Sequence, residues 1–336
     1  MTAMHRCLRL AHYASGDVPP HSCFELDTES TREPLQGEVL VEVQWLSMDP
    51  FPRLAMRGEA SMAPQLPLGT VMLGRGVGRV LRSADAAFGV GDAVAGELGW
   101  RERACVPAQG LRKVDPTLAP VELSLGLLGP SGLTAYFCVE RIAPPQPGQT
   151  ILVSAAAGSV GATACRLAAL RGARVVAAAW GQTQCRYLSD ALGVDAVVDI
   201  AGPVPLADSL RAACPNGIDV FLDGVGGLLH DAAMDNLNVG ARVVVYGLIS
   251  SYGESGRADI GPRHLLRIIQ RRVHIDGFLV GDHAAQFADA LAQLATWYHE
   301  GRLLAPQHVS HGLEAVPAAF AALFAAAQPG KQLVKL

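Results

Sequence analysis

The chain has no Cys-x-x-Cys pair. Its seven cysteines are odd in number and scattered through 336 residues, which argues against a disulfide framework or a thiolate zinc site. Half of the residues are hydrophobic, yet no uninterrupted apolar run reaches the length of a membrane span. Charge is scarce: 17% of residues are charged, the net charge is −4 and both signs are interspersed. No nucleic-acid or lipid-binding surface is announced by that pattern. The opening Met1–Leu10 lacks the apolar core and cleavage site of a signal peptide. Together these absences lead us to expect a cytoplasmic protein with reduced thiols, no nucleic-acid partner and no membrane partner. The length suffices for two domains, each with a core.

What is present centres on Ile151-Leu-Val-Ser-Ala-Ala-Ala-Gly-Ser-Val-Gly161 and the stretch Ala162–Gly172 that follows. An apolar run of strand length enters a turn of small residues, and the turn opens a stretch with helical apolar spacing. Small residues at Ala157, Gly158 and Gly161 let a pyrophosphate approach the first N–H groups of the helix, where the helix dipole favours an anion. A second apolar strand, Arg174–Ala179, follows at the distance a βαβ unit requires. The pattern reads as a dinucleotide site.

On either side the texture differs. Up to about residue 120, short strands such as Glu38–Trp45, Gly74–Leu81 and Asp92–Ala95 are punctuated by glycine and proline, as in a β-rich barrel or sandwich. A helix is expected over Leu125–Phe137, bent or broken around Gly129-Pro-Ser-Gly132. Beyond it strand and helix alternate. Strands are expected at Ala196–Asp199, Ile218–Leu222, Ala241–Tyr246 and Val273–Phe278. Helices are expected at Pro205–Cys214, Leu228–Leu237, Pro262–Arg272 and His283–Glu300. Near-continuous apolar strands in such alternation indicate a parallel, doubly wound sheet. A last helix, Leu313–Ala327, and a last strand, Lys331–Lys335, are expected to return to the first domain. The expected architecture is α/β, with a doubly wound Rossmann domain (123–304) inserted in a β-rich domain (1–122 plus 305–336). A substrate would meet the cofactor in the cleft between them.

These residues carry a resemblance. The β-rich start, Gly129-Pro-Ser-Gly-Leu-Thr-Ala-Tyr136, the turn Ala155–Gly161 and the inserted doubly wound domain resemble the medium-chain dehydrogenase/reductases. Met48-Asp-Pro-Phe51, Gly217-Ile-Asp-Val-Phe-Leu-Asp-Gly-Val-Gly-Gly227 and Gly247-Leu-Ile-Ser-Ser-Tyr252 are similar to the zinc-independent branch of alkenal, leukotriene/prostaglandin and curcumin reductases. Asp276-Gly-Phe278, Gly312–Phe320 and Gly330-Lys-Gln-Leu-Val-Lys335 extend the match in order to the end of the chain. The resemblance implies a GroES-like first domain. It also implies that Thr134, Ala157, Gly158, Ser159, Val160, Gly161, Tyr246, Gly247, Leu248, Ile249, Ser250, Phe278, Leu279, Val280 and Gln328 line the cofactor. Phe278–Val280 would also reach a neighbouring subunit in a homodimer. No metal is expected: where zinc-dependent relatives carry Gly-His-Glu this chain has Gly74-Arg75-Gly76, and Cys105 stands alone.

A metal-free nicotinamide enzyme suits hydride addition to the β-carbon of an enone or enal, with a donor near the oxygen where the enolate develops. The resemblance places Tyr252 there, as a donor or as a residue that packs against the cofactor. Phe51 stands where double-bond reductases often carry a tyrosine, and offers an apolar pocket wall without a donor. The strand ending Ala177-Ala-Ala-Trp-Gly181 has no carboxylate to hold ribose hydroxyls, which favours NADPH and admits NADH. Arg186 is near enough in sequence to pair with a 2′-phosphate. Gln184, Ile200 and Gly224 stand where the family usually has lysine, tyrosine and asparagine. The expected function is NADPH-dependent reduction of the C=C bond of a hydrophobic enone or enal. A quinone reductase and a non-catalytic NADP(H)-binding protein are the alternatives. Loops at Ser61–Leu68 and Tyr252–Ile260 are expected to shape the pocket.

Overall fold

The computed structural model describes residues 3–58, 63–253 and 261–336. Residues 61, 62 and 254–260 of the two expected pocket loops lie outside the described residues. The chain divides into two compact units. One comprises Met1–Leu125, Gln307–Ala327 and Lys331–Leu336; the other comprises Gly126–Pro306 and Gln328–Gly330. The sequence boundaries put Gln328–Gly330 with the first unit. They cluster instead with the second, where the Gly330 N–H donates to Ala157 O at 2.8 Å.

The second unit is built on a six-stranded parallel sheet. Its order is Ala196–Asp199, Arg174–Ala179, Thr150–Val153, Ile218–Asp223, Leu237–Val245, His274–Gly277. The strands are apolar on both faces because both faces are covered. Ile151, Val153, Val175, Ala177, Val220 and Leu222 pack on one side with residues of helices Pro130–Phe137, Ser159–Leu170 and Phe287–His299. Leu152, Val176, Ala178 and Phe221 pack on the other with residues of Leu206–Ala213 and Gly227–Met234. The strand order reverses between Thr150–Val153 and Ile218–Asp223, which makes their carboxyl ends the topological switch point.

Several element ends differ from the sequence expectation. The stretch Leu125–Phe137 is helical only over Pro130–Phe137, with Gly129 extended as its N-cap and proline at its first position. Leu237 begins a strand rather than closing a helix. The preceding helix stops at Met234, and Gly240 lies within a nine-residue strand at φ +78°. The stretches from His283 and from Leu313 start as 3-10 turns, Val280–Gln286 and Leu313–Ala315, before the α-helices Phe287–His299 and Val316–Phe324. Such turns satisfy helix-end groups and share the apolar spacing of the helix they precede.

The first unit contains a seven-stranded sheet. Its main path runs Gln307–His311, Lys331–Lys335, Glu38–Ser47, Arg75–Ser83, Ala93–Glu97, Arg112–Lys113, and Arg103–Pro107 pairs with Glu38–Ser47. A separate antiparallel pair joins Met4–Leu10 to Phe24–Ser30. Lys331 reaches back within this unit: its Nζ lies 2.5 Å from Asp49 Oδ1, and the Ser47 hydroxyl donates to Asp49 Oδ2 at 2.7 Å. No helix among the described residues is long and apolar enough to cross a membrane.

Candidate dinucleotide-binding site

Three loops converge at the switch point of the second unit. The first, Ser154–Gly158, is folded by Ala155 at φ +45°, and the Gly158 N–H donates to Ala155 O at 2.9 Å. Gly158 is the extended N-cap of the 12-residue helix Ser159–Leu170, whose first N–H groups have no partner within the helix. Ala157 is fully buried, whereas Ser159 and Val160 are half-buried. A Cβ on Gly161 would lie 2.5 Å from Ala155 O and 2.6 Å from Ala156 Cα, so glycine there lets the helix sit against the turn. A Cβ on Gly158 would meet only Ala155 O, at 3.2 Å.

The second loop follows Asp223, a fully buried carboxylate. Its Oδ1 accepts the Val225 N–H at 3.0 Å, the Gly226 N–H at 2.9 Å and the Ser154 hydroxyl at 3.3 Å. His230 Nδ1 lies 2.9 Å from the other oxygen. Ser154 Oγ in turn accepts the Gly224 N–H at 2.7 Å. Asp223 thereby ties the first loop to the second. Neither Asp223 nor His230 stood out in the sequence; an acid closing an apolar strand just before Gly-Val-Gly-Gly was the available signal.

The third loop, Tyr246–Tyr252, packs on the second. Tyr246 N donates to Asp223 O at 2.9 Å, Ile249 N to Gly224 O at 3.2 Å and Ser250 N to Val225 O at 3.1 Å. The Tyr246 ring lies where a side chain at position 224 would project: a Cβ on Gly224 would be 2.6–2.7 Å from three of its atoms. The Tyr246 hydroxyl donates to Ser154 O at 3.4 Å, and burial pushes its phenol well above the usual range, so it stays neutral. Ile249–Ser251 is a 3-10 turn, and the half-buried Tyr252 follows it with its N–H donating to Ile249 O at 3.1 Å.

The other expected cofactor residues distribute around this centre. Thr134 lies on Pro130–Phe137, its hydroxyl donating to Pro130 O at 2.8 Å. Phe278 is buried and donates its N–H to Val245 O at 3.0 Å, while Leu279 is exposed and Val280 opens a 3-10 turn. Gln328 belongs to the second unit beside Gly330. Gly181, Gln184 and Arg186 lie on the helix Gly181–Arg186, after an exposed Trp180. Arg186 is exposed, with Nη2 3.5 Å from Gln182 Oε1. Trp180 N donates to Gln184 Oε1 at 3.4 Å. The carboxylate missing from the end of Arg174–Ala179 is found one strand over. Asp199 pairs in register with Ala179, and its Oδ1 accepts the Gly181 N–H at 2.8 Å.

In the first unit, Phe51 is half exposed at the start of the turn Pro52–Ala55. Arg75 Nε lies 3.3 Å from Glu97 Oε1. Among the described residues, no group of three or more His, Cys, Asp or Glu could hold a metal ion.

Residues 6–114 match the family described as the N-terminal domain of oxidoreductase, and residues 159–296 match the zinc-binding dehydrogenase family. A Bacillus subtilis protein named as an NADP-dependent oxidoreductase, YfmJ, is 38% identical over 100% of this chain and 99% of its own. The NADPH-dependent curcumin reductase of Escherichia coli is 33% identical over 95% of this chain and 93% of its own. The chain is a medium-chain reductase of the curcumin and alkenal reductase branch. Among solved structures, CurA from Vibrio vulnificus in complex with NADPH matches the reductase with a TM-score of 0.89. Its identity is 31%, with 98% of each chain covered. The reductase thus pairs a β-rich first unit with a doubly wound second unit whose switch point carries a small-residue turn and two interlocked loops.

Proposed function

We propose that this reductase uses NADPH to reduce the C=C bond of hydrophobic α,β-unsaturated ketones or aldehydes. The observation that carries the reading is the switch-point cradle, in which the small turn 155–158 opens a long helix beside the interlocked loops 223–227 and 246–252. The residues fit a dinucleotide. Extended Gly158 and the first N–H groups of its helix would hold the pyrophosphate, and the loops after Asp223 and Tyr246 would border the nicotinamide end. When bound, NADPH supplies a hydride.

The chain's own contribution is orientation and proton supply. Asp223 fixes the loop that Gly224 and Val225 share with Ile249 and Ser250, and so sets the position of the turn that carries Tyr252. The Tyr252 hydroxyl would donate to the substrate carbonyl oxygen as negative charge develops there, and water or the phenol would protonate the α-carbon. Phe51 offers an aromatic surface with no donor, which suits an apolar substrate. The test is NADPH oxidation with an aryl enone, a medium-chain 2-alkenal and a quinone, using wild type and Tyr252→Phe. We expect alkene turnover to fall at least about tenfold in the variant, as loss of a positioned donor does, while quinone turnover holds. Quinone-only turnover by wild type would replace this reading with that of a quinone reductase.

A homodimer is part of the proposal. The edge strand His274–Gly277 pairs on one side, with Leu237–Val245. Exposed Leu265, Leu266, Ile269, Ile275 and Leu279 lie on or beside it in sequence, a concentration of apolar surface that a second copy would cover. Ile269→Lys should shift the sedimentation coefficient from dimer toward monomer; an unchanged monomeric value in wild type would refute the dimer.

A further inference from the structure

The adenosine end of a dinucleotide in this fold lies over the end of the second strand, about 20 residues beyond the glycine turn, where an acid selects a ribose 2′-hydroxyl and a cation admits a 2′-phosphate. Here that strand ends at Ala179, and its neighbour ends in register at Asp199. Asp199 is held in place: Oδ1 accepts the Gly181 N–H at 2.8 Å and the Ala201 N–H at 2.9 Å. One carboxylate therefore clamps the two turns, 180–181 and 200–201, that border the site from adjacent strands. Its charge reaches Cys185 on the helix that follows, whose thiol is pushed up first by burial and then by Asp199. The next residue, Arg186, is exposed on the same helix with Nη2 3.5 Å from Gln182 Oε1.

We infer that Asp199 is a specificity-determining residue at the ribose 2′ position, its carboxylate opposing Arg186 and holding the preference for NADPH over NADH below what Arg186 alone would confer. The inference rests on the dinucleotide reading of the site. A carboxylate fixed at the ends of these strands repels a phosphate dianion, and surface screening leaves an effect of about five- to tenfold in affinity. A ribose hydroxyl meets no such repulsion and can donate to the same carboxylate.

Calorimetric titration with adenosine 2′,5′-bisphosphate and with 5′-AMP tests this without turnover. Asp199→Asn keeps an oxygen that can accept both N–H groups while removing the charge. It should raise the bisphosphate-to-AMP affinity ratio about five- to tenfold, and Arg186→Gln should lower it by about as much. Asp199→Ser, which also retains an acceptor, serves as a second neutral variant should the first fold poorly. An unchanged ratio in a folded neutral variant, with both fragments still bound, would overturn the inference alone. Failure of wild type to bind either fragment would overturn the dinucleotide reading and the inference with it.

Discussion

Placing one methyl group on Gly161 and one on Gly158 should separate packing from binding in the same turn. At Gly161 the added Cβ would lie 2.5 Å from Ala155 O and 2.6 Å from Ala156 Cα. Both are backbone atoms of a turn held by positive φ at Ala155, so the helix must retreat by about 1 Å to reach ordinary contact. Overpacking of this kind costs about 1–3 kcal/mol, and the better helix propensity of alanine returns up to about 1 kcal/mol. A net loss of about 1–2 kcal/mol lowers the melting midpoint of a unit this size by about 2–8 °C. Gly158 has φ −79° and its Cβ would meet one backbone atom, tightly, at 3.2 Å, so Gly158→Ala, which also puts alanine at an N-cap, should cost about 0.5–1 kcal/mol, less than Gly161→Ala. That methyl would instead stand at the helix N-cap, where a pyrophosphate must approach, and should weaken NADPH binding about tenfold or more. Thermal melting and titration of dihydronicotinamide fluorescence read the two effects. Wild-type stability in Gly161→Ala would refute the packing argument; wild-type affinity in Gly158→Ala would refute the cradle.

Two further changes probe buried charge. Asp223→Ala would leave the Val225 and Gly226 N–H groups and His230 without their buried acceptor, and should cost about 3–5 kcal/mol in urea unfolding. A loss under 1 kcal/mol, in the sense of a surface substitution, would show that water replaces the carboxylate. The second change concerns Asp49. Burial pushes its carboxyl up, but Lys331 at 2.5 Å and the Ser47 hydroxyl outweigh this and hold it below the usual value. A depressed carboxyl contributes stability that is complete above its unfolded value of about 3.9 and is lost as pH falls through the folded value. Urea midpoints should therefore drop more steeply below about pH 4 in wild type than in Lys331→Met; parallel curves would refute the coupling.

The parallel sheet was legible because its strands advertise burial on both faces. Runs such as Ile151-Leu-Val153 and Val175-Val-Ala-Ala-Ala179 are apolar at successive positions, which a half-exposed strand does not tolerate. The small-residue turn was legible for a similar reason, since Gly161 answers a local requirement of one helix against one turn. Element ends were less so. Leu237 was expected to close a helix and Ala241 to open a strand, yet both lie inside Leu237–Val245, whose pairing with Ile218–Asp223 shifts register there. The carboxylates that organise the site were the least legible. Asp199 acts on Gly181 and Asp223 on Ser154 across 18 and 69 residues of chain, and a sequence pattern carries no sign of which strands become neighbours. Gly224 is similar. As a departure from a family pattern it suggested a lost contact, whereas in the fold the Tyr246 ring occupies the space that a side chain there would need.

The chain's path also orders events during synthesis. Residues 126–306 supply all six strands of the parallel sheet, so that sheet can pair once Gly277 has left the ribosome. The first unit must wait. Glu38–Ser47 and Gln307–His311 are joined through Lys331–Lys335, and Leu336 donates its N–H to Gln44 O. The stretch Trp45–Ser47 therefore keeps an open edge until Leu333–Lys335 arrive to pair with it. A ribosome paused short of residue 331 would leave Gln307–His311 without its neighbour and Trp45–Ser47 uncovered, and such unpaired strand groups invite pairing with another chain.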